Sequence, residues 1–116
     1  ELIPDMNRVY GPWQWSLLQD GAKCHTAFST LDYLNDYCNV FPNWPPNSPD
    51  LNPIDNLWSI IKRRVEDVQP QSIDDLITLT FQTWDSISMN EIHNLIDSVP
   101  NRLQECIRKN GMQTGY

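Results

Sequence analysis

The sequence predicts an α/β fold, and three observations support that class. A short segment rich in Trp and Leu, residues 13–19, is followed by a helical pattern over 26–35 and by a second short apolar segment, 38–41. A strand, a helix and a strand in about 29 residues have the size of a βαβ unit, which implies parallel strands and a right-handed crossover. After residue 52 the apolar spacing is helical, so helices are expected to form the second half.

The composition indicates one globular domain. The chain has 116 residues, of which 40% are hydrophobic, and that is enough for a core. It contains no run of about 18 apolar residues, so no transmembrane helix is expected. Its first residues, ELIPDMNRVY, lack a signal-peptide pattern and are interpreted as a start inside a longer chain.

The spacing of the cysteines and the net charge indicate the cellular compartment and the class of binding partner. The three cysteines form no CxxC pair, which argues against a disulfide framework or a zinc site and favours a reducing, intracellular compartment. The net charge of −7 counts against binding a polyanion. A local basic group, Lys62, Arg63 and Arg64, could still contact phosphates, with an affinity that falls as salt rises.

The first half is predicted to hold the βαβ unit after an N-terminal helix. That helix ends at the sequence YGPW, because Gly and Pro break helices. The strand 13–19 is closed by Asp20 and Gly21, a common turn pair. Thr26 is the N-cap candidate of the helix that follows.

A proline-rich loop, residues 42–52, leads into the second half. The next helix is predicted from Pro53, which suits the first helical position because its missing N–H costs nothing there, to Val65. Asn52 is its N-cap candidate.

Two further helical segments follow. One runs from Ser72 to about Ser88, with Ser72 and Asp75 in a pattern similar to a capping box. The other covers 90–110, where Pro100 should kink or split it. The apolar positions expected to face the core are Ile54, Leu57, Trp58, Ile61, Val65, Ile73, Leu76, Ile77, Thr80, Phe81, Trp84, Ile87, Ile92, Leu95, Ile96, Val99, Leu103 and Ile107.

Asp20 and Asp55 are the residues whose positions favour metal chemistry. An acid at a strand end faces the crevice where parallel sheets bind ligands, although an Asp before a Gly is also a common turn residue. An acid in the first turn of a helix interacts well with the helix dipole whatever its function, and Asp50 is similarly explained as a turn residue. Two carboxylates that lie close together can bind Mg²⁺ or Mn²⁺. Two such ions about 4 Å apart promote phosphoryl transfer.

Two other residues are weaker candidates. His25 is interpreted as a helix-start residue near the crevice, and Cys24 beside it as a small buried residue, since adjacent residues rarely form a catalytic dyad. Lys62 lies two helical turns after Asp55 and could reach a phosphate, or it is simply a solvated cation.

Three segments resemble the Tc1/mariner transposase family. LQDGAKCHTA, residues 18–27, is similar to the family's QDNAPCHTA, and WPPNSPDLNPIDNLWSIIKRRV, 44–65, to WPPxSPDLNPIENLWxxLKRxV. VPNRLQECIRKNGMQTGY, 99–116, is similar to MPRRLxxVIxxxGxxTxY. Asp20 and Asp55 have 34 residues between them, a spacing that resembles the second and third acids of the family's catalytic triad.

The resemblance implies part of an RNase H-like fold, namely the last two strands of its sheet and the C-terminal helices. Residues 1–116 would be the C-terminal part of a DDE/D catalytic domain, with a partial core at 1–66 and helices at 72–110. It also implies DNA cleavage and strand transfer in the nucleus with Mg²⁺ or Mn²⁺, and Asp20 and Asp55 as catalytic metal ligands. Weaker candidates, for DNA contact, are His25, Asn52, Lys62 and Arg63.

The sequence departs from the family pattern at three points. Asp55 stands in Tc1-like surroundings, where that acid is Glu, whereas mariner-like members have Asp. Gly21 replaces the usual Asn. The first acid and the DNA-binding helix-turn-helix domains belong upstream of the matched segments, so this chain by itself is expected to be inactive.

The main hypothesis is therefore a transposase catalytic-domain fragment whose partner in the complete protein is DNA, with a homodimer formed through an unpaired strand edge. The alternative is a non-catalytic, transposon-derived helical interaction module, which the acidic charge favours. A standalone RNase H-like nuclease ranks third because it needs the upstream acid.

Overall fold

The computed structural model describes residues 2–42 and 44–116. The chain forms two compact units, Glu1–Asn47 and Ser48–Tyr116. The contacts therefore group the helix at Pro53 with the C-terminal helices, whereas the family resemblance implies a partial core at 1–66 that includes it. That assignment concerns the family's domain and stays a prediction.

The first unit contains the predicted parallel strand pair. Its elements are α1 (Leu2–Tyr10), β1 (Ser16–Leu17), α2 (Lys23–Thr26), α3 (Phe28–Asn35) and β2 (Asn39–Val40). Ser16 pairs with Asn39 and Leu17 with Val40 in parallel register, so the parallel pairing is confirmed.

Both strands are shorter than predicted, and for β1 the cause lies in the residues that precede it. The Asn39 amide Nδ2 donates to the carbonyls of Trp13 and Trp15, at 2.9 and 3.3 Å. Trp13 itself has a φ of 63°, which is incompatible with a strand. Trp15 is buried and its ring N–H donates to Asn7 Oδ1 at 2.9 Å, which ties β1 to α1.

The helix predicted from Thr26 is divided instead. Ala27 has an extended backbone, with ψ of 139°, so α3 begins at Phe28 and Thr26 is not its N-cap. The Thr26 hydroxyl donates to the Ala22 carbonyl at 3.2 Å, within the turn of α2. Cys24, expected to be buried, is exposed, whereas Cys38 is buried and its thiol pKa is raised by that burial.

The second unit is helical throughout its regular structure. It contains α4 (Pro53–Val68), α5 (Ile73–Asp85), α6 (Met89–Asp97) and α7 (Val99–Arg108). Its core is a stripe of α4 formed by Leu57, Ile61 and Val65. Three half-buried side chains pack against this stripe, namely Leu79, Ile87 and Leu95. No helix in 2–42 or 44–116 is long and apolar enough to cross a membrane.

Much of the apolar surface expected in the core is exposed. Ile73 is 76% exposed and Phe81 is 67% exposed. They do not reach the core because Leu79, Ile87 and Leu95 are the residues that pack on the stripe of α4. Trp58 and Trp84 are about half exposed and pack on each other, with ring centroids 5.4 Å apart. The remaining exposed members of the predicted core are Ile54, Leu76, Ile77, Ile96, Leu103 and Ile107.

Local chemistry sets the helix boundaries of this unit. The Ser72 hydroxyl accepts the N–H of Asp75, as predicted, and a full capping box that was not predicted joins Ser88 and Glu91. Pro100 lies in the first turn of α7, so it does split the helical segment 90–110.

We expect Ser88→Ala to lower the free energy of unfolding by about 1 kcal/mol, because it removes the hydroxyl that accepts the Glu91 N–H at the start of α6. Urea unfolding followed by circular dichroism measures this. Ser29→Ala, an exposed change inside α3, is the control and should have little effect. An equal loss in both variants would contradict the capping role.

Candidate metal and DNA site

Asp20 lies in the first unit, three residues after β1. Its carboxylate Oδ1 accepts the backbone N–H of Ala22 at 3.1 Å and lies 2.6 Å from Nδ1 of His25. The Ala22 N–H, and then the His25 bond, lower the pKa of Asp20. Asp20 is thus a deprotonated, exposed carboxylate at neutral pH, and among the described residues both bonds go to Oδ1, which leaves Oδ2 for another ligand.

His25, predicted as a residue near the crevice, is the hydrogen-bonding partner of Asp20. The Gln19 amide donates to the His25 carbonyl at 3.1 Å and so fixes the backbone of α2 beside the end of β1. When Nδ1 carries the proton and donates it to Asp20, Nε2 is left as an acceptor. The bond from His25 to Asp20 was not predicted from the sequence.

A cavity of about 360 Å³ adjoins Asp20 within the first unit. The rings of Phe41 and Trp44 meet edge to face on its lining, with centroids 6.1 Å apart. A Cβ added at Gly21 would meet Cβ of Pro46 at 3.7 Å, an ordinary contact. The structure could therefore accommodate a side chain at this position.

Asp55 lies in the second unit, in the first turn of α4, and is half-buried. Its N–H donates to the Asn52 carbonyl at 3.2 Å, and its own carbonyl accepts the Ser59 hydroxyl at 3.0 Å. These bonds fix its backbone, while no described residue donates to its carboxylate. The helix dipole favours a negative charge at this end.

The start of α4 is set by a buried turn. The N–H groups of Leu51 and Asn52 both donate to the Ser48 carbonyl, at 3.1 and 3.2 Å. Asn52 occupies the N-cap position with an extended backbone, but its side chain makes no capping bond and is 6% exposed. Asn56 Oδ1, one turn further on, is buried without a hydrogen-bonding partner in the described structure.

The predicted basic residues lie further along α4. Lys62 is exposed and comes within 3.9 Å of Glu66, one turn later on the same helix. It lies seven residues, or roughly 10 Å of helix axis, beyond Asp55. Arg63 is also exposed, whereas Arg64 forms an ion pair with Glu91.

Each of the two carboxylates by itself offers oxygens of the kind that Mg²⁺ and Mn²⁺ prefer, Asp20 in the first unit and Asp55 in the second. Within residues 2–42 and 44–116, no three side chains among His, Cys, Asp and Glu cluster in a way that would hold a metal by themselves.

Sequence reasoning missed the residues that hold the turn before α4. Asp50, explained as a turn residue, is buried and bonded to Thr114 and Arg102. The only signal for it was that the segments 44–65 and 99–116 both resemble the same family, which does not show that they touch.

Comparison with known proteins identifies the family. Residues 1–77 match the family described as DDE superfamily endonuclease. The chain is 36% identical over 98 residues to the transposable element Tc1 transposase of Caenorhabditis elegans, covering 84% of this chain and 36% of that protein. It is 35% identical over 111 residues to the Tc3 transposase of the same organism, covering 94% and 34%.

A further relative is the Tcb1 transposase of Caenorhabditis briggsae, 29% identical over 102 residues, which is 88% of this chain and 37% of that protein. The chain thus spans about a third of the length of these relatives. The family implies an RNase H-like fold and typically uses divalent metals, and a parallel strand pair with helices agrees with that fold. The chain belongs to the DDE superfamily of endonucleases and is similar to transposases of the Tc1 type.

Proposed function

We propose that this chain is part of the RNase H-like catalytic domain of a DNA transposase, with a partial core at 1–66 and C-terminal helices at 72–110. In that domain Asp20 and Asp55 hold the divalent metal used to cleave and join DNA. The observation that carries the proposal is the carboxylate of Asp20, ionised and exposed just beyond β1 in a chain of this family. Ligands of parallel sheets bind at that end of the strands.

The roles of the side chains follow from their bonds. Asp20 presents a free oxygen while the Ala22 N–H and His25 hold the other, so its carboxylate is oriented before a cation arrives. Asp55 sits on a backbone fixed on both sides by the Asn52 carbonyl and Ser59. When bound, Mg²⁺ or Mn²⁺ activates the attacking water or hydroxyl and stabilises the leaving oxygen.

DNA contact is proposed for three exposed or half-exposed residues, His25, Lys62 and Arg63. The charges of Lys62 and Arg63 suit phosphates, and their contribution should fall as salt rises, because salt reduces the gain from releasing the counterions of DNA. Asn52 is 6% exposed and offers almost no surface to DNA. Its burial favours a role in shaping the start of α4 over the predicted contact with DNA.

A nuclear location and a homodimer are part of the same proposal. The nuclear location is proposed because the proposed substrate is chromosomal DNA. In the described part of the chain β1 pairs only with β2, and an unpaired strand edge favours pairing with a second copy of this segment. A homodimer of residues 1–116 by themselves is proposed on that basis.

The test is a plasmid-nicking assay on the complete transposase that carries this segment, with Mg²⁺ or Mn²⁺. Asp20→Ala should abolish nicking, because the remaining ligands cannot position the metal. Asp32→Ala, which removes an exposed acid of α3, should retain it. Nicking that survives Asp20→Ala would overturn the proposal, and turnover by residues 1–116 alone would overturn the expectation that this segment is inactive by itself.

A second candidate function is a non-catalytic helical interaction module. The exposed apolar side chains of α5 favour it, since Ile73, Ile77 and Phe81 are each at least half exposed. Titration with Mn²⁺, followed by amide shifts near Asp20 and Asp55, separates the two functions. The absence of any response at millimolar metal would favour the interaction module.

A further inference from the structure

Asp50, in the turn before α4, is held by residues far from it in sequence. It is 6% exposed, and its Oδ2 accepts the backbone N–H of Thr114 at 2.6 Å. Its carbonyl oxygen accepts a bond from the guanidinium of Arg102 at 3.0 Å. We call these residues, Asp50, Arg102 and Thr114, the Asp50 clasp.

Arg102 is a buried charge whose Nε and Nη1 both donate hydrogen bonds. It is 2% exposed, its Nε donates to the Ser98 hydroxyl at 2.7 Å, and its guanidinium lies 4.7 Å from the ring centre of Tyr116. Burying such a group without partners is costly, so the surrounding bonds are needed to keep it in place.

The segment after α7 is anchored along its length. The Gln113 carbonyl accepts the Lys109 ammonium at 3.1 Å, and the Gly115 N–H donates to Glu105 Oε1 at 3.2 Å. Thr114 itself is 7% exposed. The N–H that Thr114 presents to Asp50 is therefore held by bonds on both sides of it.

The clasp lies a few residues from the proposed metal ligand. Leu51 and Asn52, which follow Asp50, are buried in the same turn, and the Asn52 carbonyl accepts the Asp55 N–H at 3.2 Å. A shift of Asp50 would therefore pass along a short, buried and hydrogen-bonded segment to the first turn of α4.

We infer that the Asp50 clasp is a positioning device for Asp55, in which the segment 112–116 and Arg102 fix where the first turn of α4 presents its carboxylate. The inference rests on the proposed role of Asp55 as a metal ligand. A purely stabilising role is less suited to the composition of the clasp, because well-packed apolar groups stabilise at least as well as buried charges. The apolar core at Ile61 also involves none of the clasp residues.

The variant that tests the clasp most directly is Thr114→Pro in the complete protein, because proline has no N–H to donate to Asp50. Nicking should slow by roughly ten- to a hundredfold, as expected for a carboxylate displaced by about 1 Å, and the Mn²⁺ concentration for half-maximal rate should rise. A loss of folded protein alone would lower the maximal rate without moving that concentration. Hydrogen exchange of the peptide 50–58 should speed up.

Two further variants keep the test decisive. Met112→Ala changes an exposed residue of the same segment and should leave rate, metal dependence and exchange unchanged. Arg102→Lys, which keeps the charge but loses the planar group over Tyr116, should give a smaller rise in the Mn²⁺ requirement and is the working variant if Thr114→Pro does not fold. An unchanged Mn²⁺ requirement in the folded variant would overturn the inference.

Asp55→Asn in the same assay separates this inference from the proposed function. Nicking by Asp55→Asn would refute the metal-ligand role itself, whatever the clasp does. An inactive Asp55→Asn together with clasp variants that match the parent would refute only the positioning role.

Discussion

Replacing Asp55 by Glu in the complete protein should lower the rate of metal-dependent nicking by about a hundredfold. The added methylene extends the side chain by about 1.5 Å. The backbone at Asp55 cannot retreat easily, since its N–H is bonded to Asn52 and its carbonyl to Ser59. The longer carboxylate would then reach past the position at which the shorter one meets the metal.

The nicking rate at saturating Mn²⁺ measures this effect. Asp74→Glu is the matched control, because it makes the same change in the first turn of α5, away from the proposed site, and should leave the rate unchanged. An Asp55→Glu variant as fast as the parent, or faster, would show instead that Asp55 is a degenerate replacement of a Glu ligand.

The second large effect concerns stability. Ile61→Ala should lower the free energy of unfolding by roughly 2–5 kcal/mol, since it leaves a cavity in the middle of the core stripe of α4. Ile61 is 3% exposed, and Leu57 and Val65 lie one turn to either side of it in the same cluster. Urea unfolding followed by Trp fluorescence is suitable, because Trp58 and Trp84 pack on each other across α4 and α5.

Ile73→Ala is the control for that measurement. Ile73 is 76% exposed, so the same substitution should change the free energy of unfolding by no more than about 0.5 kcal/mol. A similar loss in both variants would mean that the exposed face of α5 is covered in solution, which would favour the interaction module.

Helix boundaries were predictable where a single residue determines them. Pro53, Ser72 and Pro100 act on backbone groups within one turn, so their effects can be predicted from the neighbouring sequence. The start of β1 was predicted wrongly, because it depends on the bond from the Asn39 side chain to the Trp13 carbonyl, which crosses 26 residues of sequence. Thr26 was predicted wrongly because its hydroxyl bonds the Ala22 carbonyl while Ala27 takes the N-cap position of α3.

In the candidate site, too, local features were predictable and contacts between distant residues were not. Asp20 and Asp55 were proposed from local position and motif, and they lie just beyond β1 and in the first turn of α4. The contacts that hold them were not found. Periodicity shows which face of a helix is apolar, as on α5, but it does not show whether another element covers that face.

The Asp50 clasp also has a consequence for folding order. Thr114 lies 64 residues after Asp50, so forming their bond closes a long loop and opposes the chain entropy of that whole segment. Synthesis delivers the N-terminal residues first, and contacts between distant residues form slowly. The turn before α4 therefore reaches its final geometry only after Thr114 has been synthesised. The first and last residues of the second unit thus adopt their native contacts in the same step.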